Sequence, residues 1–204
     1  MYIVRSKSER PSRVFSYNKA IDFINKHNFS SIIDYACGVM RLLEYINPNS
    51  VEYTGVDVIK DRLNEGLSKF QNSHKINCFN CSILDFKLIQ KYDLVICLET
   101  LGFNSWFDKK EIFSTINKLI SSNTKHGHTI FNIYSDNTLL VENVINYTKL
   151  TYNDVNVTKY GNFTELVDRE LCLLIYENIL KKDYLSEGDK VNSNMYLFEC
   201  SSKI

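Results

Sequence analysis

The sequence predicts a doubly wound α/β fold, a mostly parallel seven-stranded sheet with helices on both faces. Short β-like apolar runs alternate with helical patterns along the chain, the mark of βαβ units. The number of such runs suits seven strands. No repeat or low-complexity tract separates them, and the only prolines are Pro11 and Pro48. The whole of 1–204 therefore reads as one domain. Residues 1–28 supply an N-terminal arm and helix, 31–134 a ligand-binding core, and 150–204 a C-terminal helix and closing strands.

A first helix is expected over Ser16 to His27, with Ala20, Ile21 and Ile24 inward. Ser31 to Ala36 is the first strand, followed by a turn at Gly38 and a helix through Leu42, Leu43 and Ile46. The second strand is Glu52 to Asp57, and a helix follows with Leu63, Leu67 and Phe70 at i, i+4, i+7. Lys75 to Asn80 and Tyr92 to Leu98 are the third and fourth strands. Asp108 and Glu111 form a capping box ahead of Ile112, Phe113, Ile116, Leu119 and Ile120. His128 to Tyr134 is the fifth strand, with a helix from about Asn137. Val155 and Val157 mark another strand, Asn162 to Lys182 a helix carrying Val167, Leu171, Ile175 and Ile179, and Met195 to Cys200 the closing strand.

Composition narrows the class. Hydrophobic residues make up 44% and charged residues 24%, ordinary for a globular protein and too apolar for disorder. With 24 basic and 24 acidic residues the net charge is zero, which argues against a large footprint on duplex nucleic acid. A basic cluster of Arg5, Lys7, Arg10, Arg13 and Lys19 remains, read as a solvated terminus before an anion site. The six cysteines, with no secretory leader in view, are expected to be free thiols in the cytoplasm. Cys78 and Cys81 spell CxxC, but on a strand i and i+3 face opposite ways, so the pair carries no metal. No apolar run approaches the roughly 20 residues of a membrane helix.

In open α/β sheets ligands bind at the carboxyl ends of the strands beside the switch point. There the first strand ends in Asp34-Tyr35-Ala36-Cys37-Gly38-Val39-Met40-Arg41. A turn of small residues brings backbone amides close to a ligand. The second strand ends in Asp57, whose carboxylate suits a pair of ribose hydroxyls.

These residues, with Val56-Asp57 and Tyr92-Asp93-Leu94-Val95-Ile96, resemble the class I, Rossmann-like S-adenosylmethionine-dependent methyltransferases. The resemblance spans Ser31 to Tyr134, about half the chain. It implies S-adenosylmethionine as cofactor, cradled by Asp34, Ala36, Cys37 and Gly38. Asp57 with Val58 would hold the ribose, Ser82 and Ile83 the adenine, and Leu98 and Glu99 the cleft wall. Ala36 and Met40 stand where the family pattern has its first and third glycines, and Ser82 where many members have an acidic residue. Two readings follow: a divergent active enzyme with Met40 packed under the turn, or a binding module of the same fold whose turn Met40 has closed. Asp34 is also expected to cap backbone amides of the turn.

Methyl transfer is a direct displacement, which chiefly needs alignment of donor and acceptor. His27, His74, His126 and His128 all fall at amino ends of strands, away from the expected site. The candidates at the correct edge are Glu99 and Tyr134 as catalytic residues, with Asn104, Trp106, Ser135, Asp136 and Asn137 nearby and the arm from Tyr2 folding over. Asp136 resembles part of a metal motif of some O-methyltransferases, but is read as a helix cap, so no metal is expected. Motifs of DNA amino- and C5-methylating enzymes are missing. A small molecule, or a small exposed group, is the expected acceptor. RNA, reached through the basic arm, is the variant not favoured; a nicotinamide-dependent oxidoreductase is a poorer rival, and no membrane partner is expected.

Overall fold

A computed structural model describes residues 8–9, 11–102, 109–162, 167–168 and 193–202. Its elements in order are β1 (Ser8–Glu9), α1 (Pro11–Lys26), β2 (Ser31–Tyr35), a 3-10 helix (Arg41–Tyr45), β3 (Glu52–Asp57), α2 (Lys60–Lys69), β4 (Ile76–Asn80), β5 (Tyr92–Leu101), α3 (Lys109–Ser122), β6 (Asn123–Tyr134), α4 (Thr138–Thr151), β7 (Tyr152–Asn162), β8 (Val167–Asp168) and β9 (Ser193–Ser202). Seven strands form one sheet in the order β4-β3-β2-β5-β6-β9-β7. β9 runs antiparallel between β6 and β7, and the other pairings are parallel. β1 and β8 pair separately, antiparallel.

The sheet is buried on both faces, as parallel sheets are. Alternate residues of each strand enter opposite cores. Ile32 and Ile96 meet Phe15, Ala20, Ile21 and Ile24 of α1, Leu42 and Leu43 of the 3-10 helix, and Leu63 of α2. Ile33 and Val95 face the other way, onto Ile112, Ile116 and Leu119 of α3 and Val141 and Val144 of α4. The helices thus divide between the faces as expected. Cys78 joins the first core and Cys81 the second, so the CxxC is split by the sheet. The described cysteines Cys37, Cys78, Cys81, Cys97 and Cys200 are free.

Several boundaries move. After Gly38 there is only a 3-10 turn, not a helix reaching Ile46. Pro48 disfavours helical backbone at Asn47, and Ile46 is already extended. On α2 the inward residues are Leu63 and Gly66, while Leu67 is exposed. α1 starts five residues early and β6 extends back to Asn123. Asp136 does not cap α4. Asn137 does, its side chain accepting from the Leu140 amide, while Asp136 accepts from the backbone and side chain of Asn194. In the segment read as a helix from Asn162 to Lys182, Asn162 ends β7 and Val167–Asp168 is strand. The remainder lies outside the described residues, as do Asn104, Trp106, the Asp108 cap and the arm at Tyr2.

Candidate active site

The strand order reverses between β2 and β5, where crossovers leave in opposite directions and open a crevice. A cleft of about 560 Å³ occupies it, within the range of about 300–1,000 Å³ typical of small-molecule sites. Its floor is the turn after β2, with Ala36, Cys37, Gly38 and Val39. One wall is Asp57 at the end of β3 with Val58 and Ile59 after it. Cys81 to Leu84 after β4 and Leu98 to Thr100 of β5 make the others, and α1 adds Arg13 and Tyr17.

The turn is held from below. Ala36, Gly38 and Met40 all have left-handed backbone, with φ of 59°, 54° and 56°. The Asp57 carboxylate accepts from the Gly38 amide through Oδ2 and from the Ile59 amide through Oδ1, both at 2.8 Å. Asp57, not Asp34, therefore ties down the turn. A carboxylate has about four acceptor positions, so room remains on Asp57 for hydroxyl donors. Asp34 lies beneath the cleft and accepts from the Tyr53 hydroxyl at 2.8 Å. Burial pushes its carboxyl up to about 7; the Tyr53 hydrogen bond opposes this and the Asp57 charge adds to it.

Met40 is fully buried and packs under the turn. Its room comes from Gly66, where an added Cβ would sit 2.7 Å from Met40 Cε and 3.0 Å from the Val39 carbonyl. Cys78 Sγ donates to its Sδ at 3.6 Å. The bulk that replaces a glycine in the turn is thus absorbed by a glycine on α2. Cys37 lines the cleft but is largely buried, and burial drives its thiol far above the ordinary range.

Ser82 and Ile83 line the cleft after β4. The Ser82 hydroxyl donates to Asp85 Oδ2 at 2.7 Å and accepts from the Asp85 amide. At the opposite wall Glu99 has φ of +59°, at an irregularity where the β5–β6 register shifts between Cys97 and Leu101. Its Oε1 accepts from Ser16 Oγ at 2.7 Å and Asn132 Nδ2 at 2.8 Å. Its Oε2 accepts from the Tyr134 hydroxyl. The two catalytic candidates are therefore joined, with Glu99 on the cleft and Tyr134 buried behind it.

Ser16 and Asn132 were missed by sequence reasoning. Asn132 did leave a trace, as a lone amide inside the apolar run from Ile130 to Tyr134. Ser135, Asp136 and Asn137 do not line the cleft. His27 and His128 meet Phe23 and Phe29 at the far, amino edge of the sheet. Among the described residues no three His, Cys, Asp or Glu side chains gather as a metal site, and no helix is long and apolar enough to cross a membrane.

The family model of nodulation protein S (NodS) matches residues 17–139, more than half of the chain. No curated protein sequence matches. Among solved structures, the N-methyltransferase NodS from Bradyrhizobium japonicum WM9, in complex with S-adenosyl-L-homocysteine, superposes with a TM-score of 0.64 at 13% identity, covering 91% of this chain and 85% of that one. An rRNA methylase from Streptococcus thermophilus gives 0.60 at 10% identity, covering 93% and 97%. The magnesium protoporphyrin IX methyltransferase ChlM from Synechocystis PCC 6803, with bound S-adenosylmethionine, gives 0.58 at 14% identity, covering 91% and 78%. At these identities the likeness is one of fold.

Proposed function

Given that the chain belongs to the NodS family, we propose that it transfers a methyl group from S-adenosylmethionine to a nitrogen of a small-molecule acceptor. The chain is a class I S-adenosylmethionine-dependent methyltransferase. The observation that carries the acceptor reading is the Glu99 carboxylate on the cleft wall, held by Ser16, Asn132 and Tyr134. A carboxylate there hydrogen-bonds an amine and takes up the proton that the amine must shed to become nucleophilic.

The residues present fit the cofactor. The left-handed turn exposes Gly38 to the cleft, where even an added Cβ would meet nothing nearer than the Arg62 side chain at 4.0 Å. Ala36, Cys37 and Gly38 would support the amino-acid portion above the buried Asp34. Asp57 and Val58 would hold the ribose, and Ser82 and Ile83 would enclose the adenine, with Leu98 and Glu99 beside the reacting end. When bound, the cofactor supplies an electrophilic methyl group on a sulfonium. Leu98, Ile83 and the exposed Val58 and Ile59 give the cleft apolar surface that limits water. We read the chain as one domain. The five described cysteines, all free, support a reducing, cytoplasmic setting.

Calorimetric titration of S-adenosylmethionine and S-adenosylhomocysteine into wild type and Asp57→Ala tests the cleft. Binding in the micromolar range, about −8 kcal/mol, is expected in wild type and lost in the variant. No binding to folded wild type overturns the reading. A screen of primary amines with methyl-labelled cofactor, run beside ribosomal RNA, tests the acceptor. Labelled RNA with unlabelled amines would overturn the small-molecule assignment.

A further inference from the structure

Asn132 is fully buried in β6, between Phe131 and Ile133. A buried carboxamide has to find partners, and both ends of this one find the same residue. Oδ1 accepts from the Glu99 amide at 2.8 Å, and Nδ2 donates to Glu99 Oε1 at 2.8 Å. Nδ2 also lies 3.2 Å from Ser16 Oγ, which itself donates to Glu99. The regular β5–β6 ladder breaks at this point, so a side chain takes the place of a missing rung. The bond to the Glu99 amide falls on a residue with left-handed backbone, a conformation unfavourable for a non-glycine residue. An apolar residue at 132 would leave both the amide and the carboxylate without these bonds.

We propose that Asn132 is a positioning residue for methyl transfer: its carboxamide grips Glu99 by backbone and side chain together and fixes the carboxylate at the cleft wall. Ser16 extends the grip to α1, the helix that brings Arg13 and Tyr17 to the same cleft. The proposal rests on the reading of Glu99 as the group that meets the acceptor. It adds that this glutamate works only in the conformation that Asn132 imposes. Asn132 itself touches neither acceptor nor cofactor.

Two variants separate positioning from plain packing. Asn132→Ala removes both bonds. Asn132→Asp keeps an acceptor for the Glu99 amide but sets a carboxylate against a carboxylate; once protonated, it donates to Glu99 Oε1 as the amide did. Crystal structures with S-adenosylhomocysteine are expected to show Glu99 out of its left-handed conformation in Asn132→Ala, and in Asn132→Asp at pH 8 but not at pH 5. Affinity for S-adenosylhomocysteine is expected to stay within about threefold of wild type, since the grip lies on the acceptor side. On an amine that wild type methylates, kcat is expected to fall about 100-fold in Asn132→Ala with KM for S-adenosylmethionine unchanged. Asn132→Asp should regain activity as the pH falls from 8 to 6.

Glu99 unmoved in Asn132→Ala, in a protein that binds S-adenosylhomocysteine normally, overturns the proposal alone. A wild type that binds no S-adenosylhomocysteine overturns the methyltransferase reading and the proposal with it. Should Asn132→Ala fail to fold, Asn132→Asp decides: a pH profile parallel to that of wild type refutes positioning.

Discussion

The two edges of the sheet are built in opposite ways. At the carboxyl edge the backbone bends into left-handed conformations, unfavourable at Ala36, Met40 and Glu99: all five described residues with positive φ, these three with Gly38 and Gly102, follow β2 or lie at the end of β5. Polar side chains there grip backbone amides, as Asp57 grips Gly38 and Ile59, and Asn132 grips Glu99. At the amino edge the backbone is relaxed and rings pack on rings. Phe23 and His27 of the α1 end lie against Phe29 and His128, with the two imidazoles 4.7 Å apart. Strain concentrated at one edge of a sheet is where a working site is expected. The other edge packs the end of α1 against the sheet.

The sharpest way to break this contrast is at Gly102. An added Cβ would lie 2.2 Å from the Tyr134 carbonyl oxygen, a backbone atom, with φ at +76°. Gly102→Ala is expected to cost about 3 kcal/mol or more and to disturb the Glu99–Tyr134 pair. Urea unfolding measures the first effect, and a midpoint unchanged from wild type would remove the claim of strain. Next comes Gly66→Ala, which pushes on Met40 and the Val39 backbone. A loss of about 2 kcal/mol is expected, smaller in a Met40→Ala background, so that the double-mutant cycle shows coupling. Additive losses would mean that the two residues do not share their space.

Asp34→Asn sharpens the contrast by asking what the buried charge costs. The folded-state value of about 7 lies above the ordinary 3.8, so the folded protein holds the proton more tightly than the unfolded chain does. The contribution of Asp34 to stability is full below about pH 4 and is lost as pH rises through 7. The carboxamide keeps the acceptor for Tyr53 without the charge. The variant should match wild type near pH 4 and exceed it in stability at pH 8.

The smallest effect belongs to the amino edge. Burial, and then the neighbouring His27, lower the pKa of His128 below its ordinary 6.5, while Asp93 opposes them. Ser201 Oγ and the rings of Phe23 and Phe29 complete its surroundings. The unfolded chain then takes up the proton first, so stability is lost as pH falls below about 6.5. His128→Gln should flatten that decline, by less than either glycine effect, in melting curves between pH 5 and 8. Cofactor affinity should not follow it.

The strands were legible because apolar runs such as Ile32-Ile33 and Leu94-Val95-Ile96 have to be buried wherever they go. The turn and Asp57 were legible because short spacings along the chain carry them. The partnership of Met40 with Gly66 was not, since on α2 the apolar Leu67 competes for the inward position and loses to a residue with no side chain. Asp57 as the holder of the turn was hidden too, because a backbone amide leaves no mark on sequence. The grip of Asn132 on Glu99 depends on a register shift between β5 and β6, a property of two strands that neither run contains.

The sulfur atoms beneath the turn have a chemical consequence. Cys37 stands at the cleft, and Cys78 rests on Met40 just below. Toward an aligned sulfonium a thiolate is a far better nucleophile than an amine. Burial keeps both thiols protonated, driving Cys37 far up and Cys78 to about 11. A protonated thiol is a poor nucleophile. Soft, close-packing sulfur in the floor would then be inert toward a sulfonium bound above it.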